Sequence, residues 1–143
     1  VAARFEIERK LFSGSIEVID LPDYWKKTYK DYLGIEPKDV SQGVLQDIHW
    51  AMGAFGYFPT YSIGNILSTQ LYYAAEEKLG CNLEEQFSCG NFEPLLSWLR
   101  ENIHCHGRRF STNELLFRST GSELSPVHLI NHIKSRVKTS YNL

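Results

Sequence analysis

Cysteine is scarce in this sequence, and its spacing excludes two common uses of the residue. Three cysteines occur in 143 residues, at Cys81, Cys89 and Cys105, and no pair of them has CxxC spacing. An odd number without that spacing argues against a disulfide framework and against a zinc ribbon. The pattern predicts free, buried thiols in a reducing compartment, and we therefore expect a cytoplasmic protein.

The sequence also lacks a surplus of positive charge and any long hydrophobic run. Lys and Arg number 15 against 17 Asp and Glu, for a formal net charge of −2, whereas phosphate binding would require a basic surplus on one face. No stretch approaches the roughly 20 apolar residues that span a bilayer. Charges also interrupt the start of the chain, where a signal peptide is apolar. Neither nucleic acid nor a membrane is expected as a partner.

Length and composition are those of an ordinary globular domain. The residues are 43% hydrophobic and 22% charged, and the length is near the mode of about 100–150 residues for one domain. We predict a single domain over residues 1–143. Because the sequence opens on Val1, has its one methionine at Met52 and is helical in pattern from Arg4 onward, we expect it to be a piece of a longer protein.

Apolar residues recur at helical spacing along most of the chain. Glycines stand where helices should end and prolines where helices should begin: Gly14, Gly34, Gly80, Gly90, Gly107, Gly121, Pro22, Pro94 and Pro126. Asn82 with Glu85, and Ser111 with Glu114, have capping-box spacing. The pattern predicts an all-α fold of about seven helices. One short extended segment is expected near residues 15–19, where polar and apolar residues alternate.

One stretch, residues 41–65, departs from the helical pattern and gathers glycines, a proline and aromatic residues around Asp47 and His49. Its glycines would let the backbone take a positive φ or approach a ligand closely, and its aromatic side chains would wall a partly dry groove. These residues are Gly43, Gly53, Gly56, Trp50, Phe55, Tyr57, Phe58 and Tyr61. Composition alone favours instead a well-packed surface loop whose histidine is satisfied by its neighbours.

A family resemblance appears within this stretch. Residues 43–50 have the form GxxQDxHW, and residues 55–65 read FGYFPTYSIGN. Together they resemble the carboxypeptidase Taq family, the zinc metallocarboxypeptidases of the thermostable carboxypeptidase 1 type. Arg4–Glu8, Asp20–Trp25 and Trp98–Phe110 resemble the C-terminal part of the family in the same order. The resemblance implies that the chain is the C-terminal part of a larger helical HExxH metallopeptidase fold.

The zinc-binding helix of that family is missing from this sequence. In HExxH the two histidines hold the metal on one helical face, and the glutamate acts as base for the metal-bound water. The resemblance places that helix, and a downstream glutamate ligand, before residue 1. It therefore implies Zn²⁺ as the cofactor of the full-length enzyme with no metal ligand in this chain, and we expect the chain alone to be inactive.

Two other groups of histidines have weaker claims to a metal. His128 and His132 have i, i+4 spacing, but Leu129 occupies the position that a catalytic glutamate would need. The side chains of residues 104–106, which read His-Cys-His, would diverge around a helix. Because two ligands without a third rarely hold zinc, we predict no metal site at either group.

The resemblance also implies roles for the residues around His49. Peptide hydrolysis develops negative charge on the carbonyl oxygen, and neutral donors placed around that oxygen stabilise it. His49 would be one donor and Tyr61 the other, with Tyr57 as the rival of Tyr61. Asp47 would either orient the imidazole or cap the turn, and the sequence favours neither. The residues expected to line the substrate groove are Gln46, Asp47 and Trp50.

The predicted function is that of the C-terminal portion of a zinc-dependent metallocarboxypeptidase, which removes C-terminal amino acids from peptides. The chain would supply groove residues and oxyanion-stabilising residues for a peptide substrate. The alternative is a free-standing helical module that binds a peptide or a protein without catalysis. Because a piece cut from its parent exposes apolar surface, we also expect a homo-oligomer.

Overall fold

The computed structural model describes residues 1–142, and over that range the chain forms eight α-helices, three 3₁₀ turns and no strand. The helices are α1 (Ala2–Phe12), α2 (Leu21–Leu33), α3 (Ile48–Ala51), α4 (Phe58–Leu79), α5 (Leu83–Ser88), α6 (Glu93–Asn102), α7 (Thr112–Thr120) and α8 (Val127–Tyr141). The 3₁₀ turns are Val18–Asp20, Val44–Gln46 and His104–His106. The all-α prediction is confirmed, and the helix beyond the expected seven is α3, a single turn inside the 41–65 stretch.

The prediction of an extended segment near residues 15–19 is wrong. Val18–Asp20 form a 3₁₀ turn, closed where the carboxylate of Asp20 accepts a hydrogen bond from the backbone N–H of Glu17 at 3.1 Å. Val18 and Ile19 are both largely exposed, so the alternation of residue types does not mark a buried face. A lone strand has no partner for its backbone groups, and a local turn satisfies them instead.

Helix ends follow the punctuation of the sequence. Gly34 and Gly121 end α2 and α7 in the left-handed conformation, at φ 67° and 75°, which a side chain would strain. The capping box predicted at Ser111 and Glu114 forms in full. At Asn82 only half of it forms: the side chain accepts from the backbone N–H of Glu85, while the glutamate carboxylate bonds to the asparagine amide.

The chain divides after Ile63 into two compact units, and each unit has its own apolar core. In the first unit Ile7, Leu21 and Trp25 are buried together, with Trp50 among the half-buried residues packed against them. In the second unit Ala75, Leu83 and Trp98 are buried together. The organisation of residues 1–143 as a single domain stays a prediction.

The three cysteines are free thiols, as predicted, but Cys89 and Cys105 are exposed rather than buried. Cys89 follows the end of α5 and Cys105 lies in a 3₁₀ turn, so both occupy connections at the surface rather than a packed helix face. None of the helices in residues 1–142 combines the length and the apolar character that a membrane span requires.

Candidate functional site

The GxxQDxHW segment folds as a tight turn followed by one turn of helix. Gly43 has φ −103°, so a positive φ is not its reason for being glycine. A Cβ there would lie 3.2 Å from the carbonyl oxygen of Asp39 and 3.6 Å from the buried Trp25 ring, and close approach is the reason. The hydroxyl of Ser41 and the N–H of Gln42 hydrogen-bond the carboxylate of Asp39 and hold its pKa below the ordinary value.

Asp47 is the organising residue of this segment. Its backbone is extended, and its Oδ1 accepts the N–H of His49 at 2.8 Å, which caps α3. The same oxygen lies 2.8 Å from Nδ1 of the His49 ring. The carboxylate is 2% exposed. The sequence left capping and orienting as alternatives, and one oxygen makes both contacts.

The other oxygen of Asp47 contacts Arg4, which the sequence carried only as part of the Arg4–Glu8 resemblance. Nε of Arg4 lies 3.0 Å from Oδ2. The N–H does not point at the carboxylate, so the contact is an ion pair rather than an aligned hydrogen bond. Nothing in the sequence indicated this pairing, because Arg4 and Asp47 are far apart in the chain and their meeting depends on tertiary packing.

The imidazole of His49 reaches Tyr61 on its other side. Nε2 lies 3.0 Å from the phenolic oxygen of Tyr61. Tyr57 meets the imidazole only through its ring, with centroids 5.7 Å apart. Phe58 lies beneath, with its centroid 5.1 Å from the imidazole, and is 1% exposed. The structure therefore joins His49 to Tyr61 by a hydrogen bond, and it places Phe58 in the interior instead of on a groove wall.

Two left-handed glycines bring Tyr61 back to His49. Gly53, after α3, has φ 72° and Gly56 has φ 75°, and both conformations favour glycine. They turn the chain so that α4 begins at Phe58 and its first turn presents Tyr61. Tyr57 and Tyr61 themselves stay accessible, at 47% and 44% exposure.

The two remaining groove candidates occupy different surroundings. Gln46 is exposed at the end of the Val44–Gln46 turn. Trp50 is half-buried, with its ring edge-on to Trp25 at 5.8 Å and to Phe58 at 6.3 Å. Its indole N–H is buried without an acceptor among residues 1–142. Trp50 in this position anchors the segment to the core of the first unit.

Donor and acceptor chemistry limits where the protons of the pair can lie. The carboxylate of Asp47 can only accept, so Nδ1 of His49 donates to it. In a neutral imidazole Nε2 must then accept, and the hydroxyl of Tyr61 donates to it. In an imidazolium Nε2 donates to the Tyr61 oxygen, which frees the phenolic proton for a third group. The pair therefore offers a donor to a ligand only when His49 is protonated or when the bond between the two side chains opens.

The described part of the chain holds no group of three His, Cys, Asp or Glu side chains that could bind a metal ion. His104–His106 form a 3₁₀ turn. The ring of Tyr73 packs near His128, and its hydroxyl lies 3.2 Å from Nδ1 of His132. Residues 1–142 thus do not provide a ligand set that fits a catalytic metal.

Comparison with known proteins identifies the class of protein as a metallopeptidase. The family model described as carboxypeptidase Taq (M32) metallopeptidase matches residues 1–137. The chain belongs to this family, as the resemblance predicted. The roles that the resemblance implies for individual residues stay predictions.

Relatives and solved structures agree with the family match. The chain is 42% identical over 141 residues to thermostable carboxypeptidase 1 of Thermus thermophilus. The aligned region covers 99% of this chain and 28% of that protein. It is 38% identical over 143 residues to carboxypeptidase 1 of Bacillus subtilis, and the aligned region covers 100% of this chain and 28% of that protein. The M32 carboxypeptidase structure from Deinococcus radiodurans R1 superposes with a TM-score of 0.93 at 39% identity. The superposition covers 99% of this chain and 28% of that one. The chain thus spans little more than a quarter of these relatives.

Proposed function

We propose that this chain supplies groove residues and oxyanion-stabilising residues to a zinc-dependent metallocarboxypeptidase, which removes C-terminal amino acids from peptides. The observation that carries the proposal is the 3.0 Å contact between His49 and Tyr61, held from behind by the buried carboxylate of Asp47. Membership of a metallopeptidase family supports the reaction class. The accessible phenol of Tyr61 supports contact with a substrate.

Tyr61 would be the group that touches the substrate. When water adds to a scissile carbonyl, negative charge develops on its oxygen, and a donor already in place stabilises that charge without reorganisation. The phenolic hydroxyl of Tyr61 would donate to this oxygen while protonated His49 donates to the phenol from behind. If the bond between them opens, Nε2 of protonated His49 would itself be a direct donor. The neutral donor expected at His49 is replaced by an imidazolium, because in a neutral ring the one proton lies on Nδ1 and is donated to Asp47. Tyr57, which contacts His49 only through its ring, would line the groove beside them.

Gln46, Asp47 and Trp50 would serve the same groove in different ways. Gln46 is exposed and would contact the peptide directly. Asp47 is buried and would act through His49. Trp50 packs on Trp25 and would hold the segment in place while its half-buried ring forms part of the groove floor.

Zinc is the metal that the HExxH resemblance implies, and its ligands would lie in polypeptide outside this chain. The chain matches only 28% of the length of the Thermus relative, so that protein has further polypeptide in which such ligands could lie. The isolated chain would therefore bind no catalytic metal and hydrolyse no peptide. The free thiols support a cytoplasmic location.

An activity assay with a chelator control tests the proposal. We define the test enzyme as Bacillus subtilis carboxypeptidase 1 in which residues 1–143 of this chain replace the matching segment. The test enzyme is expected to release C-terminal amino acids from a peptide and to lose that activity to a chelator, while the isolated chain is inactive. Activity in the isolated chain would contradict the proposal. A folded but inactive test enzyme, together with peptide binding by the isolated chain, would favour the non-catalytic binding module.

A further inference from the structure

Helix α1 reaches the proposed site through two charged side chains, Arg4 and Glu8. They are four residues apart and so lie on one face of the helix. Both contact the site loop, which we define as residues 47–56. Arg4 meets the start of the loop at Asp47, and Glu8 meets its end at Gly56. These contacts give a role to the Arg4–Glu8 motif, which the oxyanion chemistry leaves without one.

The contact at Arg4 shares one carboxylate between two partners. Oδ2 of Asp47 faces Nε of Arg4 at 3.0 Å, while Oδ1 faces Nδ1 of His49 at 2.8 Å. Rotation of the carboxylate toward either partner would therefore disturb the contact with the other. Packing fixes the guanidinium itself, which lies 5.7 Å from the Trp25 ring and 6.0 Å from the Phe58 ring.

The contact at Glu8 fixes the other end of the loop. Glu8 is 4% exposed, and its Oε1 accepts the backbone N–H of Gly56 at 2.7 Å. Gly56 has a left-handed φ of 75° and lies just before α4, which carries Tyr61. One helix thus holds the loop at the residue that orients His49 and at the residue that leads to Tyr61.

We propose that Arg4 is a positioning residue for the proposed reaction: it holds the Asp47 carboxylate in the orientation that aligns His49 with Tyr61, and Glu8 holds the other end of the loop. This inference rests on the proposed function of His49 and Tyr61. Arg4 touches no substrate and acts through Asp47. Loss of Arg4 therefore misaligns a donor that works in the transition state, which lowers kcat and leaves KM nearly unchanged.

The experiment compares three arginine variants of the test enzyme. Arg4→Gln removes the charge, and we expect kcat to fall about 10- to 100-fold, since a displacement of a catalytic group by about 1 Å can cost about 100-fold. Arg4→Lys keeps the charge on a flexible stem without the planar guanidinium, and we expect an intermediate loss. Arg9→Gln is the matched control: Arg9 lies on the same helix but is exposed and pairs with Glu6 at the surface. It should leave kcat unchanged.

A double-mutant cycle separates positioning from general support of the fold. If Arg4 acts through Asp47, the effects of Arg4→Gln and Asp47→Asn on kcat are strongly non-additive, whereas an effect of Arg4 that does not pass through Asp47 gives nearly additive effects. Both kcat and KM are measured, and kcat is expressed per folded enzyme. Wild-type kcat in both Arg4 variants overturns the proposal. If Arg4→Gln does not fold, Arg4→Lys decides alone: a lowered kcat supports the proposal and a wild-type kcat overturns it.

The same enzyme distinguishes failure of this inference from failure of the proposed function. If His49→Ala lowers kcat and the Arg4 variants do not, positioning by Arg4 is wrong and the function of His49 stands. If neither His49→Ala nor Tyr61→Phe lowers kcat, the proposed function is wrong, and this inference, which rests on it, is wrong as well. At the other end of the loop, Glu8→Gln keeps an acceptor for Gly56 and Glu8→Ala does not, so only Glu8→Ala should lower kcat.

Discussion

The hydroxyl of Tyr61 lies 3.0 Å from Nε2 of His49, in a pair that closes a chain of contacts beginning at Arg4 and passing through Asp47. Tyr57 meets the same imidazole only ring to ring. The two tyrosines are similarly exposed, so accessibility does not separate them. What separates them is the hydrogen bond, and this difference is directly testable.

Tyr61→Phe in the test enzyme is expected to lower kcat about 10²–10³-fold, because removal of one oxyanion donor costs about 2.7–4 kcal/mol. KM should change little, since the lost interaction is made in the transition state. Tyr57→Phe is the matched control and is expected to change kcat far less. Steady-state kinetics on a peptide substrate, with rates expressed per folded enzyme, give both values. Equal losses in the two variants would contradict the assignment of Tyr61.

Substitutions of Asp47 should separate its two contacts. Asp47→Asn keeps an oxygen that can accept the N–H of His49, so the cap of α3 survives while the ion pair with Arg4 is lost. We expect a lowered kcat with little change in folding. Asp47→Ala removes the cap as well, which costs about 1 kcal/mol in stability. Thermal unfolding alongside kinetics checks this. Equal stability of the two variants would show that the cap contributes nothing.

Much of the fold could be predicted because local chemistry determines it. Gly34 and Gly121 adopt the left-handed conformation that ends a helix, and the Ser111 capping box forms as its spacing predicts. These features depend on residues within a few positions of each other. The segment near residues 15–19 was predicted wrongly because alternation suggested a strand, and a strand needs a partner that local pattern does not supply.

The candidate site could be predicted only in part. Family resemblance drew attention to His49, Asp47 and Tyr61, and composition alone favoured a simple packed loop. Neither indicated that Arg4 would meet Asp47, because the pair joins α1 to a loop more than forty positions away and depends on tertiary packing. Which tyrosine hydrogen-bonds His49 likewise depends on where the left-handed glycines turn the chain.

Alanine at two glycines should change stability in opposite directions. Gly56 has φ 75°, and a side chain in that conformation costs about 1–2 kcal/mol, so Gly56→Ala should destabilise the chain. Gly64 lies within α4 with open space around its Cα and an ordinary φ. Gly64→Ala should stabilise the chain by about 0.5–1 kcal/mol. Shifts of the thermal unfolding midpoint measure both, and the same sign for both would show that backbone conformation does not decide the outcome.

Acid should weaken the start of α7 through Glu114. Hydrogen bonds from the backbone N–H and hydroxyl of Ser111 lower the pKa of Glu114 below its usual value of 4.5. A carboxylate whose pKa is lower in the folded state contributes stability above its unfolded pKa, and that contribution disappears as the pH falls through the folded pKa. Wild type should therefore lose more stability on acidification than Glu114→Gln, which cannot ionise. Unfolding curves at several pH values compare the two, and parallel losses would contradict the linkage.

The isolated chain should self-associate through the exposed stripe on α8, which we define as Val127, Ile130, Ile133 and Val137. The pattern predicted this helix correctly, yet these four side chains remain between 41% and 54% exposed. Contiguous apolar surface of this kind favours association. Charged substitution of Ile130 and Ile133 to Lys should raise the monomer fraction in analytical ultracentrifugation. Asn131→Lys adds one lysine to the same helix outside the stripe and should leave association unchanged. A monodisperse monomer in the unmodified chain would refute the prediction.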